Sequence, residues 1–213
     1  FYPPDPASWK FSTIGGNVAE NAGGMRAVKY GVTSDYVMGL EVVLADGTIL
    51  HTGGKAIKNV TGYDLKSLFT GSEGTLGVVT RAMFRLIPMP KKRGTLQVMF
   101  RSLDEGCATI HMMLQAGIVP AAAEIMDRVC LETVARHRKT ELQPAVQACL
   151  VIEIDGDNDE AIATQAKQIE AVANRCSAIG FRVAQSQQES DELWAIRRGI
   201  SSAVAAMAPN RLG

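Results

Sequence analysis

The chain has 213 residues, 46% hydrophobic and 21% charged, and its 22 basic residues balance 22 acidic ones. A net charge of zero argues against a general nucleic-acid surface, and no apolar run reaches the roughly 18 residues of a membrane span. The opening Phe1-Tyr2-Pro3-Pro4-Asp5 has neither the basic nor the apolar segment of a signal peptide.

In chain order, the first informative stretch is Thr13-Ile-Gly-Gly-Asn-Val-Ala-Glu-Asn-Ala-Gly-Gly24. Paired glycines let backbone N–H groups turn toward an anion with no Cβ in the way. Asn17 and Asn21 add amide donors and Thr13 a hydroxyl. Such a concavity suits a pyrophosphate; on the glycines alone, a pair of tight turns packed with small residues is the better account. The spacing is not that of a Rossmann fingerprint or a Walker loop. Leu40–Ala45 and Thr48–Thr52 read as a β-hairpin around a tight Asp46-Gly47 turn with both central residues at positive φ. Gly53–Gly74 is mostly loop, with a short helix near Leu65–Phe69. Within it, Asn59, Thr61, Tyr63 and Asp64 suit a cofactor-edge loop or ordinary turn and capping roles, with Tyr63 packed between domains. Leu76–Ile87 reads as a long strand closed by Pro88 and Pro90.

Pro88–Gly94 divides the chain into residues 1–90 and 91–213, with Lys91-Lys92-Arg93 as a solvated linker. Beyond it the pattern predicts a strand at Thr95–Arg101, a helix at Asp104–Ala116 stopped by Gly117, and a short strand at Ala121–Met126. A helix at Arg128–Lys139 and an apolar strand at Ala148–Ile154 follow. A helix at Asp159–Ala178, a strand at Phe181–Ser186 and a helix at Ser190–Ala206 ending before Pro209 complete the order. The succession βαβ, helix, βαβ resembles a ferredoxin-like α+β unit with helices on one face of an antiparallel sheet. Cys107, Cys130, Cys149 and Cys176 are too far apart for a Cys-x-x-Cys motif and read as reduced, mostly buried thiols, which fits the cytoplasm. His51, His111 and His137 are isolated, so no metal cluster emerges.

Six segments occur in a set order: Pro4–Ser8, Thr13–Gly24, Lys29–Thr33, Gly39–Gly47, Asn59–Leu65 and Phe69–Val79. Together they resemble the FAD-binding domain of the vanillyl-alcohol-oxidase (PCMH-type) flavoproteins. The likeness is strongest to the branch of glycolate oxidase FAD subunits and D-lactate and D-2-hydroxyglutarate dehydrogenases. The resemblance implies the second half of that FAD domain in residues 1–90, followed by part of a ferredoxin-like α+β cap. It implies FAD as cofactor, with Pro4, Asp5 and Ser8 lining the flavin. Thr13, Gly15, Gly16, Asn17, Ala19 and Asn21 would form the loop around pyrophosphate and ribityl chain. Tyr30 and Gly31 would form a nearby turn, and Glu73, Gly74, Gly77, Val78 and Val79 a backbone wall. For Glu73 an equal alternative is a structural carboxylate accepting backbone N–H bonds.

The resemblance also matches Trp194 and Arg197 to a Trp-x-x-Arg pattern whose arginine grips the substrate carboxylate, a task for a planar two-pronged donor. Arg198 should point about 100° away on the helix. The ordinary alternative pairs Arg197 with Asp191 or Glu192, and Trp194 is a packing anchor. No catalytic base is visible. The family's earlier pyrophosphate loop and its His-x-His cluster are expected outside these residues, so the chain alone should bind FAD weakly and turn nothing over. The implied function is oxidation of a small 2-hydroxy acid to the 2-oxo acid. Implied partners are other oxidase subunits, including an iron–sulfur electron acceptor. A non-catalytic flavin-binding or assembly subunit and an alkyl-glycerone-phosphate-synthase-like transferase are the rival readings.

Overall fold

Alternating burial along Val37–Val43 makes this strand, β1, the centre of a three-stranded sheet. It runs antiparallel to β2 (Ile49–Gly53) and to β3 (Val78–Phe84). The structure, a computed structural model, describes residues 1–207, and this sheet belongs to the first of two compact units, Phe1–Met89. Val18 of α1 (Ile14–Glu20) and Phe69 of α3 (Leu65–Phe69) close the core over Val37, Leu40 and Val42. Between them lie α2 (Ala27–Tyr30) and a 3-10 turn at Thr33–Asp35.

Two local expectations change in this unit. Residues 14–20 are a helix, not a pair of turns. Thr13 caps it, its Oγ1 accepting the Gly16 N–H at 3.0 Å, and Asn21 closes it in the left-handed region at φ 51°. A glycine inside a helix costs about 1 kcal/mol; the caps and the complete burial of Val18 offset that here. The hairpin loop has three residues, 45–47. Leu44 N–H donates to Thr48 O at 2.9 Å and Gly47 N–H to Leu44 O at 3.0 Å. Within the loop only Gly47 takes positive φ, at 83°, as in a type I turn with a glycine bulge. Asp46 instead accepts the Thr48 N–H at 2.9 Å.

The second unit, from Pro90, is built on β4 (Lys92–Phe100), β5 (Ala122–Asp127), β6 (Ala148–Gly156) and β7 (Gly180–Val183). The strand order is β5-β6-β4-β7 and every neighbouring pair is antiparallel. Helix α4 (Leu103–Gln115) joins β4 to β5 and α6 (Asp159–Arg175) joins β6 to β7. This is the ferredoxin-like double βαβ, with α5 (Arg128–Arg138) inserted between its halves. Leu96, Val98, Phe100, Leu150, Ile152 and Ile154 pack with Met113 of α4 and Ile169 of α6.

The expectation of helices on one face describes α4 and α6 only. Thr95 and Glu124 point to the opposite face, where α7 (Gln187–Arg198) meets both. The expected single C-terminal helix is two, α7 and α8 (Ile200–Met207), broken at Gly199, a poor helix former. The Pro209 stop lies outside the described residues. Strand β4 starts at Lys92, whose Nζ lies 3.0 Å from Asp159 Oδ2, so two-thirds of the basic run is strand rather than linker. Cys149 and Cys176 are buried, and burial pushes the Cys149 thiol up to about 11. Cys130 is half-buried and Cys107, on α4, is the exposed one of the four.

Asp127 caps α5, accepting the Cys130 N–H at 2.8 Å, and that bond holds its carboxyl below the ordinary value. A carboxyl depressed in the folded state stabilises above its unfolded value, about 4, and loses that contribution as pH falls through the folded one. Asp127→Asn, which keeps the cap, should therefore flatten the acid limb of stability below about pH 4, as measured by urea unfolding at stepped pH.

Candidate cofactor and substrate sites

In the first unit the start of α1 carries the open donors. The N–H groups of a helix's first turn have no intrahelical carbonyl. Gly16 is satisfied by Thr13 Oγ1 and Asn17 by Thr13 O. Ile14 and Gly15 have no acceptor among the described residues. Gly15 is exposed, and beyond its chain neighbours and its own helix backbone no described atom lies within 4 Å of where its Cβ would stand. Ile14 and Gly15 line a shallow cleft together with Val79, Thr80, Arg81, Ala82 and Phe84. Arg81 was not singled out from sequence; its signal was a cation in an alternating strand, 3.5 Å from Glu41.

The segment 71–79 joins α1 through two backbone bonds, Gly71 N–H to Val18 O and Glu73 N–H to Ala19 O, both 2.9 Å. The structure thus brings Thr13, Gly15, Gly16, Asn17, Ala19 and Asn21 together with Glu73 and Val79. Asn17 and Val18 are buried under α1. Gly77 packs on Val42, Val78 is exposed, and Gly74 lies open beside Glu73. Glu73 is not the expected acceptor of backbone N–H groups. Its carboxylate is exposed with no partner among the described residues, and its own N–H is what bonds, because the last carbonyls of α1 are the free acceptors there.

The other predicted residues are tied into the framework. The Asp5 carboxylate accepts the Arg26 N–H at 3.1 Å and lies 3.8 Å from the Arg26 guanidinium. A Cβ on Gly24 would stand 2.2 Å from Asp5 Oδ1 and 2.4 Å from its carbonyl oxygen; the buried Pro4 precedes this close approach. The exposed Ser8 accepts Phe11 and Ser12 N–H through its carbonyl. Asn21 Oδ1 accepts the Ser34 N–H at 2.8 Å. Tyr30 O accepts the Tyr36 hydroxyl at 2.6 Å, and its ring packs edge-on against Phe1. Gly31 ends α2 at φ 76°. In the 59–64 loop, Asp64 caps α3 through Ser67, and the Tyr63 ring is 94% exposed.

In the second unit Arg197 occupies the last turn of α7. Its Nε donates to Glu124 Oε2 on β5 at 2.5 Å, with side-chain exposures of 35% and 22%. The pairing with Asp191 or Glu192 is not formed by Arg197. Arg198 takes it instead, 3.7 Å from Asp191 on the outer face. Trp194, one turn back, is 6% exposed, and its Nε1 has no hydrogen-bond partner among the described residues. Sequence reasoning missed Glu124. The available signal was a carboxylate set among apolar residues of a short strand, Ala121-Ala-Ala-Glu-Ile-Met126, which needs a partner when it leaves water. His51, His111 and His137 are exposed, and no metal-ligand group occurs among the described residues.

The family described as FAD linked oxidases, C-terminal domain, matches residues 89–211, and that described as FAD binding domain matches residues 1–53. Glycolate oxidase subunit GlcD of Bacillus subtilis is 45% identical over all of this chain and 45% of its own length. D-lactate dehydrogenase of Anaerostipes hadrus is 36% identical over 96% of this chain and 44% of its own. The chain thus spans less than half the length of these relatives. Among solved structures, an alkyldihydroxyacetonephosphate synthase superposes with a TM-score of 0.71 at 19% identity, covering 97% of this chain and 39% of that one; at that identity the likeness is one of fold.

The contact of Gly24 with Asp5 gives a direct test. Gly24→Ala should lower the unfolding free energy by about 1–3 kcal/mol, because the Pro4–Asp5 backbone must shift. Gly15→Ala, at the open position, should leave it within about 0.5 kcal/mol. Chemical denaturation of both variants separates the two glycines.

Proposed function

The chain belongs to the FAD-linked oxidases, and on that premise we propose that it is part of an FAD-dependent oxidoreductase converting a 2-hydroxy acid of the glycolate or D-lactate type to the 2-oxo acid. The observation that carries the reading is Arg197. It is a half-buried guanidinium whose Nη1 and Nη2 have no partner among the described residues. A carboxylate fits that edge with two parallel charge-assisted hydrogen bonds, and a 2-hydroxy acid offers one beside its reacting carbon.

The first unit supports the cofactor part. The Ile14 and Gly15 N–H donors, without acceptors among the described residues, and the missing Cβ of Gly15 suit a phosphate oxygen of FAD. Arg81, paired with Glu41, lines the same cleft and offers its remaining guanidinium N–H groups. Thr13, Gly16, Asn17, Ala19 and Asn21 hold that helix start in shape, and Glu73, Gly74, Gly77, Val78 and Val79 form the adjoining wall. Pro4, Asp5, Ser8, Tyr30 and Gly31 act as the support behind it. Bound FAD supplies the two-electron acceptor for the C–H bond beside the hydroxyl. The chain's residues bind and orient: Arg197 holds the carboxylate and fixes which face of the carbon is presented.

Residues 1–90 serve as cofactor-binding portion and 91–213 as substrate cap in this reading. Partner oxidase subunits, including an iron–sulfur protein that takes the electrons, belong to it, in keeping with the subunit name of the B. subtilis relative. So does a cytoplasmic location, in keeping with the free cysteines. No described helix is long and apolar enough to cross a membrane.

In the holoenzyme, Arg197→Ala should raise KM for the hydroxy acid by about 100-fold and Arg197→Lys by about tenfold, since lysine keeps the charge but not the fork. Gly15→Leu should lower the flavin absorbance retained on purification. An unchanged KM in Arg197→Ala sinks the substrate assignment; undiminished flavin in Gly15→Leu sinks the cofactor one.

A further inference from the structure

We propose that Glu124 is a positioning residue for substrate binding: it holds Arg197 by the Nε edge and so presents the Nη1/Nη2 edge to the substrate carboxylate. The inference rests on the reading of Arg197 given above and adds a residue that reading does not contain.

The argument starts at β5. Ala122 and Met126, two residues either side of Glu124 on the same strand face, are 1% and 2% exposed. Across the ladder Glu124 stands opposite Val151, which is fully buried. A carboxylate at that position loses most of its water and requires a cation with good hydrogen-bond geometry. Arg197, 73 residues away in sequence, supplies it.

The helix that delivers the arginine is itself fixed. Ser190 Oγ lies 2.6 Å from Thr95 Oγ1 on β4, and Trp194 is buried midway between Ser190 and Arg197. Seven residues of helix span about 10 Å, so α7 crosses the sheet from β4 to the edge strand β5 and brings Arg197 down at Glu124. Arg198, on the neighbouring position, stays on the outer face with Asp191 and the Trp194 carbonyl. Only one of the two adjacent arginines is held by the sheet.

The geometry of the held one matters. A guanidinium is planar and carries donors on fixed edges. Glu124 occupies the Nε–H alone, which restrains rotation of the plane and leaves the end-on pair Nη1/Nη2 available to a second carboxylate. Without Glu124 the side chain still carries its charge but samples more rotamers, and ordering it must come from substrate binding. The loss therefore falls on KM rather than on kcat.

Kinetics of the holoenzyme test this. Glu124→Ala should raise KM for the 2-hydroxy acid about tenfold with kcat within about twofold, while turnover of the corresponding 2-hydroxy amide, which lacks the carboxylate, is unchanged. Glu124→Gln keeps an acceptor for Nε–H and should bring KM back to within about threefold of the parent. The Glu124→Ala/Arg197→Ala double variant should match Arg197→Ala. A purely structural role would change acid and amide alike. A lower KM in Glu124→Ala would overturn the proposal and make Glu124 a competitor of the substrate. If Arg197→Ala raises KM and Glu124→Ala does not, the positioning role alone fails; if neither does, the substrate role of Arg197 fails and takes this proposal with it. Should Glu124→Ala not fold, the Glu124→Gln acid-to-amide ratio decides: a rise of less than about threefold in acid KM with the amide unmoved supports positioning, and an equal change in both overturns it.

Discussion

Strand β6 has no wet face. Apart from half-buried Glu153 and Gly156 it is buried along its length, because it is central and its apolar residues point both ways. A strand of this kind must be covered twice. The crossover helices α4 and α6 cover one side, where Leu150, Ile152 and Ile154 meet Met113 and Ile169. The other side falls to α5 and α7. Once α7 is required there, its inward residues Ser190, Trp194 and Arg197 are set against the sheet. The inward placement of Arg197 is in this sense a consequence of how the central strand is kept dry.

That second face is the more polar one. Thr95 and Gln97 on β4, and Glu124 on β5, stand among buried Cys149 and Val151. Polar groups in such a place must be paired, and each available contact does so: Thr95 with Ser190, Gln97 with the Cys149 sulfur, Glu124 with Arg197. These pairings orient α7 more narrowly than apolar packing alone, since a hydrogen bond tolerates little displacement. The Trp194 Nε1 stands out as a buried donor with no partner among the described residues.

In the first unit a comparable economy governs a short helix. α1 has seven residues and two glycines, and would not persist alone. Thr13 and Asn21 close its ends, Val18 anchors it in the core, and the 71–73 backbone docks on its last carbonyls. The small residues keep its outer side low, so Gly15 and Val79 share one cleft.

Much of this was legible from the chain itself. The apolar run Ala148–Ile154, the helical periods flanking it and the turn residues between them specify a double βαβ, because local hydrophobic rhythm reflects local burial. The order of the glycine-rich segments likewise pointed to the FAD-linked family. The α1 helix was not legible, since two glycines argue against it and only its caps and docking reverse that. Nor was the glycine bulge of the 45–47 loop, where a one-residue change in loop length exchanges one turn type for another. The neighbouring arginines were indistinguishable by composition; helical phase separates them, and only the sheet decides which faces inward. The sequence by itself determined the elements, their order and the residue types able to hold a phosphate or a carboxylate. Tertiary structure alone decided the partners, Glu124 for Arg197 and Arg26 for Asp5, because a charge removed from water is satisfied by whatever the fold brings within hydrogen-bond reach, however distant in the chain.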